Sequence, residues 1–200
     1  MRSAIGRYVS LVCIAAVFAG AILYLRQPDF SVEFARAALT FGLIGVLAEI
    51  LSYRTGRESS GSLAFIPVLA IAAIAPHWVG VVAVGGSALA AQVFAKKSLL
   101  KTIFNVGQAC FAIALAILAY RSLGGVPLRG IEESGSLSLI ALFLVFFVTN
   151  SICVSGALGI VGERSAWTIW KENTLKSLPY DFLSLPVILF LSGRIRNMGL

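Results

Sequence analysis

Three long apolar stretches fill residues 61 to 118, and the chain interrupts them only at residues 76–78 and 96–101. A helix needs roughly 20 apolar residues to cross the hydrocarbon core of a bilayer, which is about 30 Å thick. So much uninterrupted apolar sequence is unfavourable in water, whereas the hydrocarbon core of a bilayer accommodates it. The pattern therefore predicts an integral membrane protein.

The composition of the chain agrees with this prediction. The 200 residues are 58% hydrophobic and 12% charged, whereas an ordinary soluble domain is about 45–50% apolar and about 25% charged. Six or seven membrane segments would use most of the chain and leave no room for a separate soluble domain. We therefore predict an all-α fold, a polytopic integral membrane bundle of six to seven transmembrane helices that forms one domain over residues 1–200.

Charged residues and turn-forming clusters between the apolar segments set the expected helix boundaries. The first segment is longer than the core of a signal peptide, so we interpret it as a permanent anchor. The last segment is short and contains Pro186, so it is a short span, a re-entrant piece or the first half of a truncated element. The predicted helices lie near residues 5–25, 32–53, 62–75, 78–95, 102–121, 136–160 and 179–192, with an interfacial segment at 163–178.

The distribution of basic residues predicts the orientation. With the N-terminus in the cytoplasm, inner loops carry ten basic residues and outer loops four, which the positive-inside rule favours. Arg194 and Arg196 depart from this pattern if the last segment crosses, so either it does not cross or an eighth helix follows. We expect a multi-pass protein of the bacterial inner membrane with a cytoplasmic N-terminus.

Charge and cysteine content exclude several classes of protein. The formal net charge of +7 resides in short loops, where it contacts anionic headgroups rather than nucleic acid. The cysteines Cys13, Cys110 and Cys153 lie in apolar runs. Their odd number and the lack of paired spacing argue against a disulfide framework, so we expect them to be small buried side chains. Phosphate loops, nucleophile elbows, paired catalytic carboxylates and metal-ligand spacings are absent from the sequence. We expect no catalytic residues, no metal, no cofactor and no enzymatic activity.

Glu49 is the one acidic residue well inside a predicted span. Ala38, Gly42 and Gly45 precede it at helical spacing and form a small-residue face suited to helix packing. A charge in hydrocarbon is costly, so Glu49 is expected to point into the bundle. Alternatively it lies close enough to the helix end to reach Arg54 or Arg57 in the adjoining loop.

Amide side chains cluster at the same predicted depth. Asn105 and Gln108 are three residues apart on one helix face, Gln92 lies on the preceding helix and Asn150 on the following one. Such amides hydrogen-bond across membrane helices. With Glu49 they form either a structural polar lock or a site that transmits a signal or binds a small polar ligand.

The opposite side of the predicted bundle offers weaker candidates. A lone histidine in a turn can sense pH. Aromatic residues at a membrane edge, in contrast, usually form the aromatic belt. Paired carboxylates in a loop are usually solvated. These candidates are His77, Trp78, Tyr120, Arg121, Glu132 and Glu133.

Several motifs between residues 49 and 125 resemble those of a known membrane region. They are Ser62-Leu63-Ala64-Phe65, the Pro76 hairpin, the basic residues Lys96, Lys97 and Lys101, the run Phe104-Asn105-Val106-Gly107-Gln108, and residues 119–125. The stretch resembles the N-terminal multi-helix region of bacterial HD-GYP and GGDEF signalling proteins. The resemblance implies a sensory or anchoring input module with a cyclic-dinucleotide output, and suggests Asn105, Gln108 and Asn150 as ligand-binding residues. No output domain follows, so the chain is either a fragment or a relative that acts through a partner.

Two functions therefore stay open. The first is a membrane sensory module coupled to a cytoplasmic signalling domain. The second is the substrate-binding membrane subunit of a vitamin-type transporter, because small-residue pairs such as Ala16 and Gly20, or Ala38 and Gly42, are suited to docking partner subunits.

Overall fold

The chain is helical through most of its described part, which in this computed structural model comprises residues 2–30, 32–54, 65–128, 135–172 and 174. Every predicted helix from 5–25 to 136–160 is present there, with ends shifted by a few residues. The predicted segment at 179–192 lies outside the described residues. The helices are α1 (Arg2–Arg26), α2 (Val32–Arg54), α3 (Phe65–Ile74), α4 (Trp78–Phe94), α5 (Leu99–Ser122) and α6 (Ser136–Gly162), followed by a short helix α7 at 166–172.

Helix α5 is the centre of the bundle. It packs against α1, α4 and α6, while α2 packs against α3 and α4. The second half of α5 has no exposed surface at Ala112, Ile113, Ala116, Ile117 and Tyr120. Alternating small and branched side chains let neighbouring helices approach closely. Close van der Waals packing stabilises helix association in a membrane, because lipid provides no hydrophobic driving force between helices.

Protein surrounds helix α3 over the residues that the structure describes. Its ten residues span about 15 Å at 1.5 Å per residue, half the thickness of the hydrocarbon core. Leu69, Ala70, Ile71, Ala72 and Ala73 are each at most 1% exposed. These residues are therefore covered by other parts of the bundle rather than by lipid.

Within the described residues, three helices are long and apolar enough to cross a membrane: Ser3–Arg26, Leu99–Ser122 and Leu137–Gly162. Helices α3 and α4 are apolar but shorter, so the expectation of six to seven spans is met only in part. The outer surface of the three long helices is rich in large apolar side chains, such as Val17, Phe18 and Ile152, each more than half exposed. Such a surface suits contact with acyl chains.

Three helices are each followed by a residue in the left-handed backbone conformation. Lys96 (φ 51°) follows α4, Gly124 (φ 80°) follows α5 and Glu163 (φ 51°) follows α6. After each, a backbone N–H reaches back to a carbonyl five residues earlier, as from Lys97 to Gln92 (3.1 Å). This pattern satisfies carbonyls that the helix end leaves without partners.

Helix α7 folds back onto α6, within the predicted interfacial segment. Trp170 Nε1 donates to Ser151 Oγ (3.2 Å), and the Trp170 ring stacks on Trp167 at 5.1 Å between centroids. Lys171 Nζ lies 5.1 Å from the centroid of the Trp167 ring, whose side chain is exposed. Paired tryptophans beside a lysine suit the boundary between acyl chains and headgroups.

Candidate functional site

Four amide side chains form two hydrogen-bonded pairs that join α5 to two of its neighbours. Asn105 Nδ2 donates to Gln92 Oε1 on α4 at 2.7 Å, and Gln108 Nε2 donates to Asn150 Oδ1 on α6. Because Asn105 and Gln108 are three residues apart, both project from neighbouring positions on one side of α5. The structure thus brings together the four predicted amides, as two pairs on a shared helix.

The two pairs lie inside the bundle rather than on its outer surface. Gln92 and Gln108 are 6% and 7% exposed, while Asn105 and Asn150 are half-buried. Interhelical hydrogen bonds of this kind contribute about 0.6 kcal/mol on average and up to about 1.7 kcal/mol. Each pair can therefore break and reform at modest cost, which suits either a lock or a contact that rearranges.

Glu49 belongs to neither amide pair. It lies half-buried on α2, which packs against α3 and α4 rather than against α5. The small-residue face that precedes it is buried, as the sequence predicts. On this face Gly42 O accepts a hydrogen bond from Ser87 Oγ of α4 (3.0 Å), and Gly45 lies beside Pro67 of α3.

Helix α1 joins the same end of the bundle through Tyr8. The Tyr8 hydroxyl donates to the carbonyl of Cys153 on α6 (3.0 Å), and a Cβ atom on Gly156 would collide with that hydroxyl. Sequence reasoning missed Tyr8. A glycine inside an apolar helix indicates a close approach, but it does not identify which side chain approaches.

At the opposite end of the bundle, Gln27 connects three elements. Oriented to satisfy its neighbours, its amide donates to Pro76 O (3.0 Å) and accepts from Arg121 Nε (2.7 Å) and Nη2 (2.8 Å). Arg121 Nη1 also donates to Gly125 O (3.2 Å). The Gln27 amide therefore joins the end of α1 to the α3–α4 hairpin, and the Arg121 guanidinium joins Gln27 to the turn after α5. Gln27 was not among the predicted candidates, because a glutamine next to a loop proline carries no distinctive signal.

His77 occupies the bend of the α3–α4 hairpin and is only 3% exposed. Its Nδ1 accepts a hydrogen bond from the Val79 backbone N–H (3.3 Å) and so caps α4. Its ring lies 5.7 Å from Phe34 and 5.4 Å from Trp78, between centroids. Burial lowers the pKa of His77 below its ordinary 6.5, despite the opposing influence of Asp29.

The remaining sequence candidates at this end divide into two groups. Tyr120 is fully buried, and its hydroxyl donates to Val126 O (2.6 Å), which fixes the turn after α5. Glu132 and Glu133 lie outside the described residues. Within the described part of the chain, no three His, Cys, Asp or Glu side chains gather as metal ligands would.

A comparison with known proteins gives one match. The family model MASE9 matches residues 11–194, which is nearly the whole chain. No curated protein and no solved structure matches the chain.

Proposed function

The chain belongs to the MASE9 family of membrane-associated sensory domains, and from this membership we propose that it is a membrane-embedded input module coupled to a cytoplasmic signalling output. The observation that carries the proposal is the extent of the match, which covers the helical bundle from α1 to α6 rather than one segment. We propose that its partners are the lipid bilayer, a signalling domain and a small ligand, that it binds no nucleic acid, and that it catalyses no reaction.

The geometry supports a module that relays a change between two ends. Thirteen residues separate Gln108 from Arg121 on α5, or about 20 Å at 1.5 Å per residue. Arg121 is hydrogen-bonded at the hairpin end of α5, and Gln108 is hydrogen-bonded near the middle of the helix. A rigid helix held at two such points transmits a shift or a rotation between them. We propose that the amide pairs respond to events at the hairpin end.

The resemblance to HD-GYP and GGDEF signalling proteins suggests a cyclic dinucleotide as the output. To test this, the complete protein is expressed in its bacterium, and the cellular level of cyclic dinucleotides is measured by mass spectrometry. A strain that carries the empty vector gives the reference level. We expect the protein to change the cellular level and Gln108→Leu to alter that change. Val93→Leu, at an exposed apolar position on α4, is the matched control and should behave like the parent protein. Equal levels with and without the protein would refute the proposal.

We also propose that the N-terminus and the turn between α4 and α5 face the cytoplasm. Lys97 and Leu123 are exposed at opposite ends of the bundle. Lys97→Cys and Leu123→Cys variants, in a background with the native cysteines replaced, can be labelled in intact cells with a membrane-impermeant maleimide. Labelling of the Leu123 position alone is expected. Labelling of the Lys97 position alone would reverse the orientation and leave the output domain on the wrong side.

A transport role has less support from the packing. The Ala38 and Gly42 pair, which could have docked a transporter partner, is buried within the chain, where Gly42 contacts Ser87. In the other pair Ala16 is buried as well, and open space lies beside Gly20 alone. We therefore do not propose that the chain is a transporter subunit.

A further inference from the structure

The cap on α4 depends on the protonation state of one side chain. His77 is the only histidine in the chain, and its Nδ1 accepts the Val79 N–H. A nitrogen that accepts a hydrogen bond carries no proton, so the neutral ring bears its proton on Nε2. The capped hairpin is therefore the form with a neutral imidazole.

The same bend contains two buried donors that lack a hydrogen bond of standard geometry. His77 Nε2 and Trp78 Nε1 make no such bond among the described residues, although both atoms are shielded from solvent and the backbone carbonyls of Gln27 and Asp29 lie near the His77 ring. A buried N–H group that lacks an acceptor is penalised by the loss of its bonds to water. The capped, closed hairpin therefore carries a penalty that a form exposing these two donors to water would avoid.

The charged groups around His77 come from two elements. Asp29, in the α1–α2 connection, favours the charged ring, and so do the backbone carbonyls of Gln27 and Asp29. Arg121 on α5 opposes the charge, and α2 contributes the Phe34 ring. The N-terminus of α4 also disfavours a cation. In the closed form, burial, the helix end and Arg121 therefore disfavour the charged ring, whereas the Asp29 carboxylate and the two backbone carbonyls favour it.

We propose that His77 is a proton-binding site of this sensory module and that proton uptake at Nδ1 opens the α3–α4 hairpin. The proton comes from water and converts Nδ1 from an acceptor into a donor that faces the Val79 N–H. Two donors cannot share a hydrogen bond, so the cap on α4 is lost. The imidazolium then leaves its buried position beside Phe34 and Trp78 for water, while it stays close to the Asp29 carboxylate.

The direction of the response follows from the two protonation equilibria. In the closed form the pKa of His77 lies below 6.5, mainly because of burial, whereas in the open form it returns toward 6.5. The open form therefore binds more protons, and acidification from above 6.5 shifts the population toward it. Returning to neutral pH closes the hairpin.

The opened hairpin has a direct route to the amide pairs. Trp78 and Gln92 are the first and third-last residues of α4, and Gln92 pairs with Asn105. A displacement of α4 at its capped end therefore strains the hydrogen bond at its other end. This last step alone rests on the proposed sensory function.

The test uses the complete protein in lipid nanodiscs and measures hydrogen–deuterium exchange at pH 7.5 and 5.5, corrected for the intrinsic rates. We expect exchange in the peptide around residues 77–82 to accelerate at least tenfold at pH 5.5, while the peptide around residues 112–117 stays unchanged. His77→Asn retains a side chain that caps helices well but cannot titrate. It should abolish the acceleration.

Two further measurements keep the proposal falsifiable if that variant does not fold. With one histidine in the chain, NMR of histidine-labelled parent protein reports the His77 titration alone, and it should coincide with the exchange transition. Asp29→Asn should move both midpoints to lower pH. An acceleration that persists in His77→Asn, or a His77 titration without any change in exchange, overturns the proposal.

A cellular measurement separates this proposal from the sensory function itself. If cyclic-dinucleotide levels respond to external pH and His77→Asn abolishes the response, both proposals are supported. If His77→Asn responds as the parent does, the proton site is wrong while the sensory function stands. If the exchange transition depends on His77 but the output never changes, the proton site is supported and the proposed coupling is wrong.

Discussion

Gln108 on α5 donates a hydrogen bond to Oδ1 of Asn150 on α6, across a sequence separation of 42 residues. Asn105, one turn earlier on α5, donates to Gln92 on α4. One helix therefore uses two adjacent amides to hold two different neighbours. This arrangement makes α5 the element through which α4 and α6 can influence each other, and it suggests where substitutions should be most informative.

Replacing one amide of the α5–α6 pair should cost more than replacing both. Gln108→Leu leaves Asn150 Oδ1 without its partner inside the bundle, so we expect a loss of about 1–2 kcal/mol. For a chain of this size that corresponds to a fall of roughly 2–8 °C in the melting temperature. Thermal unfolding in detergent, followed by tryptophan fluorescence, measures it.

The double variant Gln108→Leu with Asn150→Leu is the matched control. It removes both polar groups, so it should recover part of the stability that the single variant loses. Asn105→Leu should cost at least as much as Gln108→Leu, because the partner that it leaves, Gln92, is more deeply buried than Asn150. If each single variant melts with the parent protein, the pairs do not stabilise the fold. If stability is unchanged and signalling stops, the amides are functional rather than structural.

The sequence predicted the helices well because lipid imposes one simple requirement on them. Every backbone N–H and C=O in hydrocarbon needs an internal partner, so an apolar run of sufficient length is a helix. The grouping of the four amides was predictable for a related reason, since buried amides form hydrogen bonds with other polar groups at similar depth. Asn105 and Gln108 share one face of α5, and Gln92 and Asn150 lie on the flanking helices. Their division into two pairs that do not include Glu49 was not predicted.

The sequence could not predict contacts that depend on how the helices are rotated. The Gln27 amide bridges Pro76 and Arg121 only because α1, α3 and α5 end at the same level. The burial of α3 could not be predicted either, because an apolar run does not show whether protein or lipid surrounds the helix. The capping role of His77 likewise requires the backbone geometry of the bend.

Gly125 should not accept a side chain. A Cβ atom there would lie 2.6 Å from the Tyr120 carbonyl oxygen and 2.6 Å from the Tyr120 ring, and that ring is fully buried. We expect Gly125→Ala to lower the free energy of unfolding by about 1–3 kcal/mol. Gly135→Ala is the control, since nothing lies within 4 Å of its added methyl group. Equal melting temperatures for the two variants would contradict the predicted clash.

Lys96 is a site where a substitution should stabilise the protein. It adopts φ 51° in the turn after α4, a conformation that costs a non-glycine residue about 1 kcal/mol or more. Lys96→Gly removes this strain but also gives the unfolded chain more freedom. We expect a net gain of up to about 1 kcal/mol, measured by thermal unfolding in detergent. Lys97→Gly, beside it but without positive φ, should give no gain, and a gain there instead would contradict the assignment of strain to Lys96.

The stability of the bundle should depend on pH through His77. Because burial lowers the pKa of this side chain in the folded state, the unfolded chain binds the proton more readily, and folding loses stability as pH falls from above 6.5 toward the folded value. Above that window the contribution is fully present. The melting temperature of the parent protein should therefore fall between pH 7.5 and pH 5.5 by more than that of His77→Asn, because every other titrating group is common to both. Asp29→Asn should enlarge the fall, since it removes a carboxylate that favours the charged ring. Identical pH profiles for the parent protein and His77→Asn would show that this buried imidazole does not couple protonation to folding.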